Sequence, residues 1–318
     1  MKPEDVRVLP YHLIVGQEDL RLALEIAYVV PAIGGVLATG QRGTAKSTTV
    51  RAFAKMVLGR LPVTLPIGAT DDRVLGGWDV EKLVADGTPQ LRAGLLEQAQ
   101  AEGGGLLYID EVNLLDDYLV NIILDAASGG VLPVEREGID EQARPVRFTL
   151  VGTMNPEEGQ LRPQLLDRFG LVAMVADESS GETRREILRN VLAFDATLDG
   201  QVSSLVDQAR REDESFAAQL AQARSLAPLV HLSDDIIGLC ADIAGSFGSA
   251  GHRGDLTIAY AARGLAAMSS TTAVRPEHVA RVAPLALAHR RAGSESGTIE
   301  PWNEDEKDRL KQLVDAAS

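Results

Sequence analysis

The sixteen residues GVLATGQRGTAKSTTV, positions 35–50, decide the reading of this chain. They follow the phosphate-loop spacing G-x-x-x-x-G-K-[ST], except that Ala45 stands where the signature has its last glycine. GGVLATG reads as a short buried strand and KSTTVRAFAKMVLGR as a helix that starts at the loop. Such a strand-to-helix turn points successive backbone N–H groups at phosphate oxygens, aided by the helix dipole. Gly40 and Gly43 give the backbone its freedom, and Gln41, Arg42, Thr44 and Thr48 complete the loop and its exit. Lys46 is placed to reach the β- and γ-phosphates, and the Ser47 hydroxyl to ligate Mg2+. The methyl group of Ala45 is tolerable provided that this residue keeps φ below zero.

A second motif strengthens the first. LLYIDEVNLL is an apolar run that ends in Asp110 and Glu111. Adjacent carboxylates at the end of a buried strand are costly unless a cation or a catalytic duty employs them. Asp110 is expected to hold Mg2+, and Glu111 to polarise an attacking water as general base. The pair of motifs points to ATP hydrolysis, with ATP and Mg2+ as cofactors. VGTMNPEEG ends the next strand in Asn155, whose amide suits a γ-phosphate or the water beside Glu111. Taken alone, that asparagine is a turn former ahead of Pro156. Arg168 in LLDRFG and Arg253 in GHRGDLT can donate fixed hydrogen bonds to phosphate, although either alone reads as a surface ion-pair residue.

Composition narrows the partners. The 318 residues carry 46 acids against 31 bases, a net charge of −15. So acidic a chain is a poor binder of phosphate backbones, which disfavours nucleic acid as a partner. Cys240, the single cysteine, lies in the apolar pattern IIGLCADIAG and reads as a buried, inert thiol. MKPEDVRVLP lacks the apolar core of a signal peptide. The longest uncharged run, residues 26–41, is shorter than the ~20 residues a membrane helix needs and is broken by Pro31, Gly34 and Gly35. A soluble cytoplasmic protein with no membrane partner is expected.

The first half of the chain alternates strand and helix signals, as in a three-layer α/β domain with a parallel sheet. GLLYID and FTLVGTMN read as central strands whose carboxyl ends carry polar residues, where open α/β sheets bind ligands. After about residue 190 the pattern turns helical. SSLVDQARREDESFAAQLAQARSLA predicts one long helix, with others at roughly 234–246, 256–269 and 276–291. Pro276 suits a first turn, and Pro284 should kink the last of these helices. AGSESGT reads as a linker, and Asn303 with Glu306 has capping-box spacing for a short terminal helix. The expected division is a core over 1–192, a long linker helix over 193–228, a helical lid over 229–292, and a linker with terminal helix over 293–318.

With these residues in view, the chain resembles the AAA+ superfamily. More narrowly, it is similar to the ATPase subunit I of magnesium chelatase and its chelatase-like relatives. The resemblance runs through IVGQEDL, GQRGTAKST, ATDDRVLGGWDVEKLVADG, LLYIDEVNLLDDYLVNIILDAASGG, VEREGI, GTMNPEEGQLRPQLLDRFGL, HRGDLTIAYAARGLAA and VAPLALAHR. It touches most of the chain up to about residue 290, and the tail beyond finds no clear counterpart. The resemblance implies an AAA+ P-loop core with hairpin insertions and a C-terminal helical lid. By it, Asn155 matches the sensor-1 asparagine, Arg168 the finger that reaches a neighbouring subunit's site, and Arg253 the sensor-2 arginine of the lid. Ile14 to Gln17, with Val15 and Gly16 at its centre, matches the stretch lining the adenine pocket, and Arg162 faces a subunit interface. DRVLGGWDVEKLVADGTPQLR and VLPVEREGIDEQARPVRF match hairpin insertions.

The resemblance further implies a self-assembled ring, commonly a hexamer. It implies a partner subunit with a von Willebrand-type domain, and a large porphyrin-binding subunit that inserts the metal. On this reading the chain is the motor that drives magnesium into protoporphyrin. The alternative is a MoxR-like chaperone that remodels a protein target with a von Willebrand-domain partner. A DNA-acting AAA+ protein is a third reading, against which the net charge and the sparse Lys/Arg of the hairpin tips both argue.

Overall fold

Val36, Leu37 and Ala38 are wholly shielded from solvent, as befits a parallel strand covered on both faces. The computed structural model describes residues 7–78, 82, 84–85, 87, 91–100, 105–132, 144–177, 180–292 and 299–317. In chain order the strands are β1 (Val36–Thr39), β2 (Val63–Leu65), β3 (Gly77–Trp78), β4 (Leu91–Arg92), β5 (Gly105–Ile109), β6 (Val131–Leu132), β7 (Arg144–Pro145), β8 (Phe148–Met154) and β9 (Leu171–Met174). Five of them form a parallel sheet in the order β2-β5-β8-β1-β9. β3 pairs with β4 and β6 with β7, both antiparallel. These are the bases of the two expected hairpin insertions. Residues 79–81, 83, 86 and 88–90 of the first insertion, the VEREGI segment within 133–143, and residues 293–298 of the expected linker lie outside the described residues.

The helices are α1 (Glu18–Val29), α2 (Lys46–Leu58), α3 (Asp71–Leu75), α4 (Leu95–Ala99), α5 (Asp117–Gly129), α6 (Pro163–Leu166), α7 (Gly181–Leu198), α8 (Ser204–Leu226), α9 (Asp234–Ser246), α10 (Arg253–Met268), α11 (Pro276–Leu287) and α12 (Glu304–Ala316). Side chains alternate across the sheet, as the period of two requires. Val36 and Ala38 pack with α1, α2 and the helices of the second half. Leu37 faces the opposite way, into a cluster with α4, α5 and α6. The result is three layers with a helical lid on one face. Among the described residues no helix is long and apolar enough to cross a membrane.

Some sequence expectations are corrected. α11 stops at Leu287 rather than near 291, three residues past Pro284, and α10 begins at Arg253 rather than 256. The terminal helix is as expected, with Asn303 and Glu306 each accepting the other's backbone N–H at 2.9 Å. It is docked rather than loose. Leu310 and Val314 enter the main core, and the Trp302 indole donates to the Pro284 carbonyl at 3.3 Å. Cys240 is buried, and burial pushes its thiol up to about 12, with Asp255 adding to the effect.

His289, Arg290 and Arg291, just past α11, lock lid, core and tail together. Arg290 donates to Asp167 Oδ1 (3.0 Å) and to the carbonyls of Asp167 (2.7 Å), Phe169 (2.6 Å), Gly170 (3.0 Å) and Ala286 (2.7 Å). Burial lowers its guanidinium to about 10, opposed by Asp167, so it remains a cation at neutral pH. Burial holds His289 neutral, and its Nε2–H donates to the Phe169 carbonyl at 3.0 Å. Arg291 pairs with Glu306 at 3.3 Å and lies over the Trp302 ring. Replacing Arg290 with methionine keeps the stem but strands several buried carbonyls. The expected loss is about 3 kcal/mol of unfolding free energy, measured by chemical denaturation.

Candidate functional site

β1 ends at Thr39 and α2 begins at Lys46, so the phosphate-loop residues form the turn between them. At position 40 a Cβ would lie 2.1 Å from the Val175 carbonyl oxygen, so only glycine fits. Gly43 has a positive φ of 84° and open space around it. Ala45 departs from expectation: its φ is +61°, in the left-handed region, not below zero. In this conformation the Ala45 carbonyl accepts the first helical bond. It takes the Thr49 N–H at 2.9 Å and the Thr49 hydroxyl at 3.0 Å. From the other side, Gln17 Nε2 donates to the Thr44 carbonyl at 3.0 Å.

Lys46 curls back over the loop. Its Nζ donates to the carbonyls of Gly40 (2.5 Å) and Gln41 (2.6 Å) and to Thr44 Oγ1 (3.3 Å). Burial lowers its pKa, while Asp110, Glu111 and Glu158 pull it back up. A strand-to-helix loop with an ammonium curled over it suits a polyphosphate.

The acids stand beside it because of strand register. Ile109 is opposite Gly152, which puts Asp110 next to Thr153. Asp110 Oδ1 accepts the Thr153 hydroxyl at 2.8 Å and lies 2.7 Å from Tyr108 Oη and 3.4 Å from Ser47 Oγ. Tyr108 Oη is also 2.8 Å from Ser47 Oγ. Burial pushes the Tyr108 phenol up to about 12. Glu111 adopts φ +56°, and its N–H donates to Thr153 Oγ1 at 3.2 Å. Arg42 pairs with Glu158 and, at 3.3 Å, with Glu111. A serine hydroxyl and a carboxylate beside a polyphosphate cradle are the oxygen donors Mg2+ selects. Among the described residues no group of three or more His, Cys, Asp and Glu could hold a metal by itself. Phosphate oxygens would complete the shell.

Asn155 is buried directly after β8, and its Oδ1 caps the next turn by accepting the Glu157 N–H at 3.3 Å. Its amide NH2 remains as the donor toward a phosphate or water. Arg168 is ion-paired with Asp125 on α5, and Arg162 with Asp117 at 2.6 Å. Arg253, at the head of α10, pairs at 2.6 Å with Asp167, the residue before Arg168. Neither Arg168 nor Arg253 lines the cavity beside the phosphate loop.

That cavity, of about 590 Å³, is lined by Val15, Gly43, Thr44, Thr48, Ala176 and the α7 face Ile187–Leu188. Its size and apolar lining suit a planar base. Gly16 belongs to an adjoining cleft with Gln17 and residues 174–177. The contribution of α7 was not foreseen from the sequence, and neither were Tyr108, Thr153 or Arg290. Tyr108 lies two residues before Asp110 on a strand, hence on its face, and a hydroxyl inside an apolar run was the available signal.

Fold and site together define a P-loop ATPase of AAA type. Residues 35–169 match the AAA domain (dynein-related subfamily), and residues 238–313 match the AAA lid domain. The tail expected to lack a counterpart therefore falls largely within the lid match. The magnesium-chelatase 38 kDa subunit of Rhodobacter capsulatus is 40% identical over 89% of this chain and 88% of its own. That of Chlorobaculum parvum is 38% identical over 96% and 98%. An uncharacterised Mycobacterium tuberculosis protein is 42% identical over 89% of this chain but 44% of its own. A cryo-EM-based structure of the complex between subunits BchI and BchD of magnesium chelatase matches with a TM-score of 0.51 at 36% identity, covering 96% of this chain and all of that one. A putative ATPase from Cytophaga hutchinsonii shares the fold, with a TM-score of 0.62 at 17% identity over 96% and 89%. The chain belongs to the AAA+ ATPase family, in the group of the magnesium-chelatase ATPase subunits.

The left-handed alanine yields a direct test. Glycine at position 45 relieves the φ strain, so Ala45→Gly is expected to raise unfolding free energy by about 1 kcal/mol, read from denaturant midpoints.

Proposed function

We propose that this chain is the ATP-hydrolysing motor of a metal chelatase, driving magnesium, as substrate, into protoporphyrin IX. The family uses nucleotide and Mg2+. The observation that carries the reading is the meeting of Lys46, Ser47, Asp110 and Glu111 at one loop, in a chain 40% identical to a named chelatase subunit.

In this proposal Lys46 and the N–H groups of residues 41–48, in the loop that Gly40 opens, bind the β- and γ-phosphates, and the cavity beside Val15 takes the base, with Gly16 at its edge. Ser47 and Asp110 hold Mg2+, whose charge would offset that developing on the phosphoryl oxygens. Glu111 takes a proton from the attacking water, and Asn155 orients that water. Arg168 and Arg253 lie away from their own chain's loop, which supports a role at the site of a neighbouring copy in a ring, a hexamer by the family's habit. Arg162 belongs to the same interface. The division into core (1–192), linker helix (193–228), lid (229–292) and terminal segment (293–318) is retained with that ring. The match to a structure containing two chelatase subunits supports a second chelatase subunit as partner, which the family resemblance makes the one with a von Willebrand-type domain. A large porphyrin-binding subunit, cytoplasmic location and absence of a nucleic-acid partner complete the proposal. The second reading is a MoxR-like chaperone that remodels a protein target with a von Willebrand-domain partner; the uncharacterised Mycobacterium tuberculosis relative carries this module in a chain about twice as long.

Glu111→Gln is expected to bind ATP while turnover falls by ~10²–10⁴-fold, and Lys46→Ala to lose binding, both read by nucleotide titration beside phosphate release. The trapped Glu111→Gln ring, recovered from native lysate with ATP and Mg2+, should bring a von Willebrand-domain protein and a very large porphyrin-binding one. An unrelated enzyme in place of the latter would select the chaperone. Arg168→Ala should bind ATP yet hydrolyse it ~10³-fold more slowly or worse. Mixing it with Lys46→Ala should restore activity, since one supplies the site and the other the finger. Normal hydrolysis by Arg168→Ala alone would refute the interface assignment.

A further inference from the structure

Tyr108 is wholly buried, yet its hydroxyl stands between the two side chains assigned to the cation: Ser47 Oγ at 2.8 Å and Asp110 Oδ1 at 2.7 Å. The direct contact between those two is longer, at 3.4 Å. Each hydroxyl owns a single proton, which limits what the network can donate. Asp110 Oδ1 only accepts. Thr153 gives it a proton at 2.8 Å, and Tyr108 gives it another. The phenol proton also faces Ser47 Oγ, so the serine and the carboxylate share it. Thr153, having donated to Asp110, accepts the Glu111 N–H at 3.2 Å.

We infer that Tyr108 is a positioning residue for the Mg2+ site, a role that rests on the phosphate-site reading above. Through its bond to Ser47 Oγ it fixes the serine hydroxyl beside Asp110. By donating to Oδ1 it shares with Thr153 the task of holding the Asp110 carboxylate at a set angle. A hydroxyl left free to rotate would spend part of its time presenting its proton to the cation, which weakens the site. Outer partners that orient metal ligands are worth about 10–100-fold in metal affinity. Tyr108 itself touches neither nucleotide nor cation in this account, so its removal acts on the cation alone.

The test is a Mg2+ titration of nucleotide binding by the full chain, using a fluorescent ATP analogue and a parallel measurement in EDTA. Tyr108→Phe keeps the buried ring and removes only the oxygen. The expected result is a rise of about tenfold in the Mg2+ concentration at half-saturation, with the EDTA affinity unchanged. Thr153→Val, which removes the other donor to Oδ1, should move the midpoint in the same direction. An unchanged midpoint in Tyr108→Phe overturns the inference. So does an equal loss with and without Mg2+, which would mark the tyrosine as merely structural. Wild-type binding that takes no notice of Mg2+ overturns the phosphate-site reading itself, and the inference with it.

Discussion

The backbone at Gly40 passes so close to the Val175 carbonyl that a Cβ would stand 2.1 Å from it. That approach is the constraint from which the site follows. It holds because β1 lies between β8 and β9 in parallel register, with Thr39 opposite both Met154 and Met174. The Gly40 N–H donates to the Met154 carbonyl at 3.2 Å, and the Val175 N–H to the Thr39 carbonyl at 2.7 Å. The three strands therefore end at one level, which brings the phosphate loop, Asn155 and Ala176 together. Register between β5 and β8 then sets Asp110 beside Thr153. β1 connects outward to the far strand β2, and β5 and β8 return toward it. That change of direction opens the crevice in which α/β sheets place their ligands.

What could be read from the sequence was what neighbours in the chain determine. Lys46 and Ser47 follow their glycines within one turn, Asp110 and Glu111 end one apolar run, and Asn303 caps a helix through a residue three positions on. Contacts between distant segments were hidden. Tyr108 and Thr153 look like core residues until the β5–β8 pairing sets them over Asp110. Arg290 looks like a cation at a helix end, and only the packed lid reveals it against the carbonyls of 167–170. The α7 wall of the cavity depends on how the chain returns after β9. Ala45 was misread for another reason. A methyl group says that a left-handed conformation is costly, and it cannot say whether the surroundings enforce it.

They do enforce it, and not at that residue alone. The non-glycine residues with positive φ among those described are Gln17, Ala45, Glu111 and Ser270, and the first three surround the phosphate loop. Such conformations cost of order 1–3 kcal/mol each and survive only where the rest of the fold over-determines them. Each is held by a specific bond. Gln17 is tied to Thr44, Ala45 to Thr49, and Glu111 to Thr153. Glu111 gains most from this arrangement. The left-handed turn swings its side chain off the line of the strand while Asp110 stays on it. Two adjacent acids thereby face different tasks, one toward Ser47 and the other toward Arg42.

The lid is joined to this apparatus by more than its linker. Asp167 accepts from Arg253 at the head of α10 and from Arg290 beyond α11, and it directly precedes Arg168 in the chain. Arg290 also holds the carbonyls of Phe169 and Gly170, on the other side of Arg168. The backbone on both flanks of that arginine is thus bonded to the lid, while its side chain is paired with Asp125 of the core. A packed, buried cation with five hydrogen bonds does not deform gradually. Any rotation of the lid must either break this set or carry residues 167–170 with it. Residues 167–170 are themselves anchored in the core, with Phe169 wholly buried and the Gly170 N–H donating to the Gly35 carbonyl at 3.1 Å. The lid is thus tied, through Asp167 and its two arginines, to the segment that carries Arg168.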